Sequence, residues 1–183
     1  DRNEEESAIL INDEENICIM VNEEDHIRIQ IFNSGLDLQN TINLAKEIDK
    51  KLDESLHFIA NKEYGYLTAC PSNVGTGLRA SVMVHLPALK LTGNISKILH
   101  IVNSFGMAIR GIYGEESQSK GDMYQISNSQ TIGITEEEII NNLENITKKV
   151  LEHERVARKN LAKNEIELKD WVYIEDVILT NTV

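Results

Sequence analysis

Apolar and polar residues alternate in short runs at the start of the chain. Two β-rich stretches, Ser7 to Asn12 and Asn16 to Val21, flank the polar turn Asp13-Glu14-Glu15. The run His26-Ile27-Arg28-Ile29-Gln30-Ile31 sends every second side chain to one face, as a half-buried strand does. Together these segments predict an antiparallel meander. The period then changes: between Leu36 and Leu56, the residues Ile42, Ala45, Ile48, Leu52 and Leu56 recur three or four apart with Lys and Asp between them, predicting an amphipathic helix laid on a sheet.

A glycine-rich loop, Cys70-Pro71-Ser72-Asn73-Val74-Gly75-Thr76-Gly77, joins a short strand around Tyr66-Leu67-Thr68 to a longer one from Leu78 to Leu86, which Pro87 ends. A short helix is expected over Ile95 to Val102. Strands are expected over Met107 to Tyr113 and Met123 to Ser127, with a polar loop, Gly114 to Gly121, between them. Thr135-Glu136-Glu137-Glu138 reads as a capping box. It opens a helix of about seven turns whose apolar face carries Ile139, Leu143, Ile146, Val150, Ala157 and Leu161. Glu165 to Val183 is less regular. Strands cluster with helices between and after them and no repeat is present, so the fold class is α+β, a mostly antiparallel sheet flanked by helices.

The 183 residues, 41% of them hydrophobic, suffice for one core with at most an appendage. Thirty Asp and Glu against eighteen Lys and Arg leave a formal charge of −12, which argues against nucleic acid or an anionic membrane as the main partner and favours a cationic one. No apolar run approaches the roughly 20 residues of a membrane span, and no basic start precedes an apolar signal segment, so a soluble, cytoplasmic protein is expected. Cys18 and Cys70 are too few and too far apart for a disulfide framework or a zinc cluster. The charged opening, Asp1-Arg2-Asn3-Glu4-Glu5-Glu6, suggests a piece of a longer protein.

Three arginines stand at or near strand ends: Arg28 after an acidic run, Arg79 after the glycine loop, and Arg110 before Gly111. Each alone is explained by a local carboxylate partner; together they can converge on an anionic ligand such as a nucleoside triphosphate. The run Asn22-Glu23-Glu24-Asp25 suits either a solvated turn or a functional acidic site, and Glu115 and Glu116 are equally open. Cys70 is either a small buried hydrophobe or a thiolate near a cationic substrate. The glycine loop lacks the Gly-Lys-Ser/Thr of a P-loop, no Gly-x-Ser-x-Gly or metalloprotease helix motif is present, and the five histidines have no metal-ligand spacing.

Four strings together resemble the catalytic domain of the ATP:guanido phosphotransferases, the family of creatine, arginine and bacterial protein arginine kinases. They are Asn22-Glu23-Glu24-Asp25-His26-Ile27-Arg28, Cys70 through Arg79, Arg110-Gly111-Ile112-Tyr113-Gly114-Glu115, and Tyr124-Gln125-Ile126-Ser127-Asn128. Arg79 through Pro87, Tyr113 and Glu152-His153-Glu154-Arg155-Val156-Ala157-Arg158 look most like the bacterial branch, which phosphorylates arginine side chains in proteins. Creatine and arginine kinases carry a histidine where this chain has Met83, which suits that branch.

The resemblance implies a guanido-kinase or glutamine-synthetase-like catalytic fold over residues 1–165, partial in extent, with 166–183 a C-terminal extension. It implies that Arg28, Arg79 and Arg110 contact the phosphates of ATP. Ala80, Ser81, Val82 and Met83 would line the nucleotide pocket with Gly111, Ile112, Tyr113, Gly114 and Glu115. Glu24 and Glu115 would grip the acceptor guanidinium, with Cys70 beside them. ATP and Mg²⁺ are the implied cofactors. Arginine-bearing proteins are the implied substrates, an activator protein and a Clp-type protease the implied partners, and a homodimer the implied full-length state, with a role in protein quality control. Family members also carry an upstream Ser-Ser-Arg-x-Arg motif, for which this sequence has no match, so a fragment with weak turnover is expected. Two other readings are a non-catalytic module that binds nucleotide or phosphoarginine, and a kinase of small guanidino compounds.

Overall fold

The protein is described by a computed structural model over residues 6–111, 120–163 and 176–182. The meander forms as β1 (Ala8–Ile11), β2 (Ile17–Val21) and β3 (Ile27–Ser34), with Ile11 opposite Cys18 and Val21 opposite Ile27. Asn12 shapes the first turn, its Oδ1 accepting the N–H groups of Asn16 at 3.1 Å and Ile17 at 2.8 Å. At the second turn Asn22 adopts a left-handed φ of 53°, which asparagine tolerates better than most residues.

Helix α1 (Leu38–Leu56) packs against β3 through an apolar stripe with Leu38, Ile42 and Ala45 buried, and ends where His57 turns left-handed at φ 55°. The short strand expected at Tyr66 to Thr68 is instead the second arm of a small hairpin, β4 (Ala60–Asn61) and β5 (Gly65–Tyr66). A 3₁₀ turn (Pro71–Asn73) follows, then β6 (Leu78–His85). Pro87 does more than stop that strand: it stands first in α2 (Pro87–Leu91), where its missing N–H costs nothing. After α3 (Ile95–Ser104) come β7 (Met107–Gly111), β8 (Met123–Asn128) and α4 (Glu136–Lys163). The capping box closes as expected: Thr135 N–H donates to Glu138 Oε2 at 2.8 Å, and Glu138 N–H donates to Thr135 Oγ1 at 3.2 Å.

The C-terminal stretch departs from the sequence expectation. Residues Asp176–Thr182 form β9, which lies between β3 and β6 and pairs antiparallel with both. Its apolar run, Val177-Ile178-Leu179, is too short for periodicity to reveal. Among the described residues one sheet runs β1-β2-β3-β9-β6-β8-β7, all neighbours antiparallel. Helix α1 packs on β3 and β9, α4 on β6 and β8, and α3 on β7.

Strand alternation splits this sheet chemically. Ile29 and Ile31 of β3, Leu78, Ala80, Val82 and Val84 of β6, Met107 and Ile109 of β7, and Tyr124 and Ile126 of β8 are buried in one core with Ile139, Leu143 and Val150 of α4. Each fully buried Val, Leu, Ile or Met side chain among them contributes about 1.5–3 kcal/mol. The intervening residues, Arg28, Arg79, Ser81, Arg110, Gln125 and Ser127, therefore stand on the opposite face.

Candidate functional site

On that opposite face lies a cavity of about 390 Å³ lined by Glu24, Arg28, Ser72, Asn73, Arg79, Ala80, Ser81, Arg110, Gln125 and Ser127. Cross-strand register brings its walls together: Ser81 is opposite Ser127, and Arg110 is opposite Gln125. Gln125 Nε2 donates to Ser81 Oγ at 2.9 Å, which holds the floor between the arginines.

Among the described residues, the three arginines have few counter-charges. Arg28 pairs with Glu23 at 3.2 Å, yet its buried Nε has no hydrogen-bond partner. Arg79 points Nη2 at Ser72 Oγ (3.4 Å) and Nε at Asn73 Oδ1 (3.5 Å), both neutral acceptors at the outer limit of a hydrogen bond. Arg110 has no ion-pair or hydrogen-bond partner among the described residues. A cleft holding three guanidinium groups and, among the described residues that line it, the single carboxylate of Glu24 is suited to a multiply charged anion.

A second cavity, of about 470 Å³, adjoins the first and is lined by Glu6, Ser7, Asn22, Glu23, Glu24, Asp25, His26 and Ala69. Its character is acidic. Glu24 lines both cavities, so one carboxylate stands between a cationic cleft and an anionic one.

The glycine-rich loop closes the site from the side. Tyr66 and Gly75 exchange backbone hydrogen bonds of 2.8 and 3.2 Å, and Thr76 N–H donates to Thr131 O at 2.9 Å. Gly75 has a φ of +112°, and a Cβ there would come within 2.1 Å of Thr131 O, so the approach needs glycine. Thr131 donates its hydroxyl to Val74 O at 2.7 Å, with Ser72 O at 3.1 Å. Cys70 opens this loop half-buried, its Sγ 3.0 Å from Ser72 Oγ. Behind the loop, burial raises the Asp49 carboxyl above its usual range. Burial, with the Asp49 charge beside it, pushes Tyr66, whose hydroxyl donates to Asp49 Oδ2 at 3.2 Å, up to about 12.

The sequence-based assignments fare unevenly. Glu24, Arg28, Arg79, Ala80, Ser81 and Arg110 come together around the cleft, and Cys70 lies alongside through Ser72. Val82 does not face the cleft: strand alternation turns its side chain, fully buried, into the core. Met83 stands on the cleft face of β6, opposite Gln125, but beyond the cavity wall, and Gly111 ends β7 next to Arg110. Ile112, Tyr113, Gly114 and Glu115 lie outside the described residues. Sequence reasoning assigned no role to Asp25, Asn73 or Gln125. The alternation of Gln125 and Ser127 with buried Tyr124 and Ile126 is the signal that locates Gln125 on the cleft face.

Among the described residues no helix is long and apolar enough to cross a membrane, and no group of three or more His, Cys, Asp or Glu side chains is placed to hold a metal ion.

Comparison with known proteins places this geometry. The profile of the family described as ATP:guanido phosphotransferase, C-terminal catalytic domain, matches residues 1–157. The protein-arginine kinase of Halothermothrix orenii is 53% identical over 169 residues, covering 92% of this chain and 48% of its own. That of Staphylococcus haemolyticus is 49% identical over 177 residues, covering 96% and 53%. The chain thus spans about half the length of these relatives. The crystal structure of a lombricine kinase superposes with a TM-score of 0.75 at 31% identity, covering 84% of this chain and 43% of that one. The duplicated taurocyamine kinase of Schistosoma mansoni, with bound transition-state-analogue components, gives 0.69 at 34% identity over 81% of this chain and 20% of its own. This chain belongs to the ATP:guanido phosphotransferase family and carries its C-terminal catalytic domain.

Proposed function

We propose that this chain is the catalytic domain of a protein arginine kinase, transferring the γ-phosphoryl group of Mg-ATP to arginine guanidinium groups of proteins. The observation that carries the reading is the position of Glu24, which lines both the cleft of Arg28, Arg79 and Arg110 and the acidic cavity beside it. An anionic donor and a cationic acceptor are each matched by charge, with one carboxylate at their boundary. Curated relatives about half identical to this chain bear the name protein-arginine kinase, which supports the same choice.

In this mechanism a substrate guanidinium enters the acidic cavity and lays its donors against Glu24, with Glu115 as the second carboxylate and Cys70 alongside. A guanidinium stays protonated at neutral pH and is a poor nucleophile until oriented and relieved of a proton, the task proposed for Glu24. The new bond joins a guanidino nitrogen to the γ-phosphorus. The bond from phosphorus to the β,γ-bridging oxygen breaks, ADP leaves with that electron pair, and the released proton passes to the carboxylate. Arg28, Arg79 and Arg110 neutralise charge on the triphosphate as it spreads in the transition state. Magnesium arrives as part of the substrate Mg-ATP. Ala80 and Ser81 form part of the nucleotide wall, Met83 extends it along the same face of β6, and the segment Gly111 to Gly114 is assigned to it by the family resemblance. Proposed partners are arginine-bearing cytoplasmic proteins and, through the family resemblance, an activator and a Clp-type protease.

A second reading, transfer to a small guanidino compound, is favoured by the likeness to lombricine and taurocyamine kinases. The test uses the full-length protein, labelled ATP, and arginine-rich protein or free guanidino compounds as acceptors. Acid-labile label on protein arginine, reduced by about 10²–10⁴-fold in Glu24→Gln with Mg-ADP affinity retained, is the expected outcome. Label on free compounds alone establishes the second reading, and undiminished transfer in the variant removes Glu24 from the chemistry.

A further inference from the structure

Asp25 follows Glu24 directly, but its side chain is spent on the protein itself. Only 3% of the residue is exposed. Its Oδ1 accepts the backbone N–H groups of Ala69 at 2.5 Å and Cys70 at 3.3 Å, and its Oδ2 accepts Asn73 Nδ2 at 3.0 Å. All three partners are donors. An ionised carboxylate, which only accepts, satisfies them, whereas an amide of the same shape offers one acceptor and confronts a donor with a donor. None of the three is a cation: two are backbone amides and the third is a side-chain amide.

The contacts continue past the carboxylate. Asn73, itself buried, turns its Oδ1 towards Arg79 Nε, while Thr131 holds the same loop from the far side. A line of bonded groups therefore runs from the turn bearing Glu24, through Asp25 and Asn73, to an arginine of the cationic cleft.

We infer that Asp25 is a positioning residue, clasping the Cys70 loop to the Glu24 turn and thereby fixing the acceptor cavity against the nucleotide cleft. This rests on the phosphoryl-transfer reading of the two cavities. In-line transfer tolerates little error, since about 1 Å of misplacement can cost on the order of 10²-fold in rate. Asp25 borders the acidic cavity, but its carboxylate oxygens set that spacing through bonds to the protein itself.

The test is made in the full-length protein. Asp25→Asn is expected to lower kcat for arginine phosphorylation by about 10–100-fold while the KM for ATP moves by less than about threefold. With the loop unclasped, alkylation of Cys70 by iodoacetamide, followed by peptide mass spectrometry, is expected to speed up several-fold. Combining Asp25→Asn with Asn73→Asp provides the rescue. The amide now at position 25 can accept from Ala69 and Cys70 and donate to the carboxylate at position 73, which still faces Arg79. Its kcat is expected to return to within about fivefold of the parent. The inference is overturned if Asp25→Asn lowers only the melting temperature, or if the double variant turns over no faster than the single one. Should Asp25→Asn not fold, Asn73→Ala removes one clasp bond, and unchanged kcat there overturns it equally. If the parent protein phosphorylates no arginine, the functional reading fails, while the alkylation rates still decide whether the clasp exists.

Discussion

Arg28 Nη1 lies 3.2 Å from Glu23 Oε2, so one of the three cleft arginines is already engaged by the residue next to Glu24. On the proposed reading, an incoming triphosphate would compete with Glu23 for Arg28, whereas an incoming guanidinium would gain from Glu23 as part of the acidic cavity. The pair is partly exposed, which limits it to about 1 kcal/mol. Glu23→Gln is therefore expected to lower the KM for ATP and raise that for the acceptor, each by up to about fivefold. Steady-state kinetics with both substrates varied checks the opposite signs, and parallel shifts would contradict the competition.

Arg79 and Arg110 are the cations with most to gain from a phosphate. Replacing either with Ala is expected to weaken Mg-ADP or Mg-ATP binding by roughly 10–100-fold, the range for a charge-assisted hydrogen bond. Calorimetric titration measures it. Because binding is ionic, the affinity of the parent protein is also expected to fall as salt rises, and less steeply in either variant.

Glu154 is fully buried in α4, where it accepts the N–H groups of Ala88 (3.1 Å) and Leu89 (2.9 Å) at the start of α2 and pairs with Arg158 at 2.6 Å. Removing it leaves two helix-end donors and a largely buried guanidinium without this acceptor. Glu154→Ala is expected to destabilise the fold by about 3–5 kcal/mol, read as a fall in the urea midpoint. Arg158→Met alongside it is expected to recover part of the loss.

Tyr66, pushed up to about 12 chiefly by burial and then by Asp49, gives the alkaline limb of stability its sign. An unfolded tyrosine ionises near 10 while the folded one keeps its proton, so between these values the folded state holds more protons and stability falls as pH rises. Below pH 10 the contribution is fully present. Tyr66→Phe is expected to flatten the decline between pH 10 and 12 in thermal unfolding scans. An unchanged slope would show that other groups cause it.

Gly75→Ala places a Cβ against the Thr131 carbonyl in a backbone conformation that L residues avoid. Loss of more than about 1–2 kcal/mol is expected, with nucleotide binding reduced because Ser72 and Asn73 sit on the same loop. Unfolding and titration of the variant measure both.

The alternation His26 to Ile31 and the helical stripes of α1 and α4 fix which faces are apolar, so the core of β3 and both long helices is legible from spacing alone. The strands behind Arg79 and Arg110 are legible too, because Val, Ile and Leu at alternate positions leave those arginines on the other face. What spacing does not reveal is partnership. Asp25 reads as one more residue of a solvated acidic turn until a loop more than forty residues away brings it three donors. Glu154 likewise reads as a helix-surface charge among Glu152, His153 and Arg155 until the first turn of α2 is set against it. Val82 shows the reverse failure: a motif covering Arg79 to Met83 invites assignment of the whole run, although strand geometry sends alternate residues to opposite faces. The position of β9 is invisible for a related reason, since its neighbours β3 and β6 are far from it in sequence.

The two-faced alternation of the sheet also limits how the gene can vary. Deleting or inserting one codon at the start of β6 would exchange the faces of the strand that follows, burying the Arg79 guanidinium beneath α4 and turning Val82 and Val84 outward to line the cleft with hydrocarbon. Changes of two residues within that strand preserve the assignment of faces, while changes of one disrupt the core and the cationic face together. Length variation among relatives should therefore fall in the turns, and any within β6 should come in pairs.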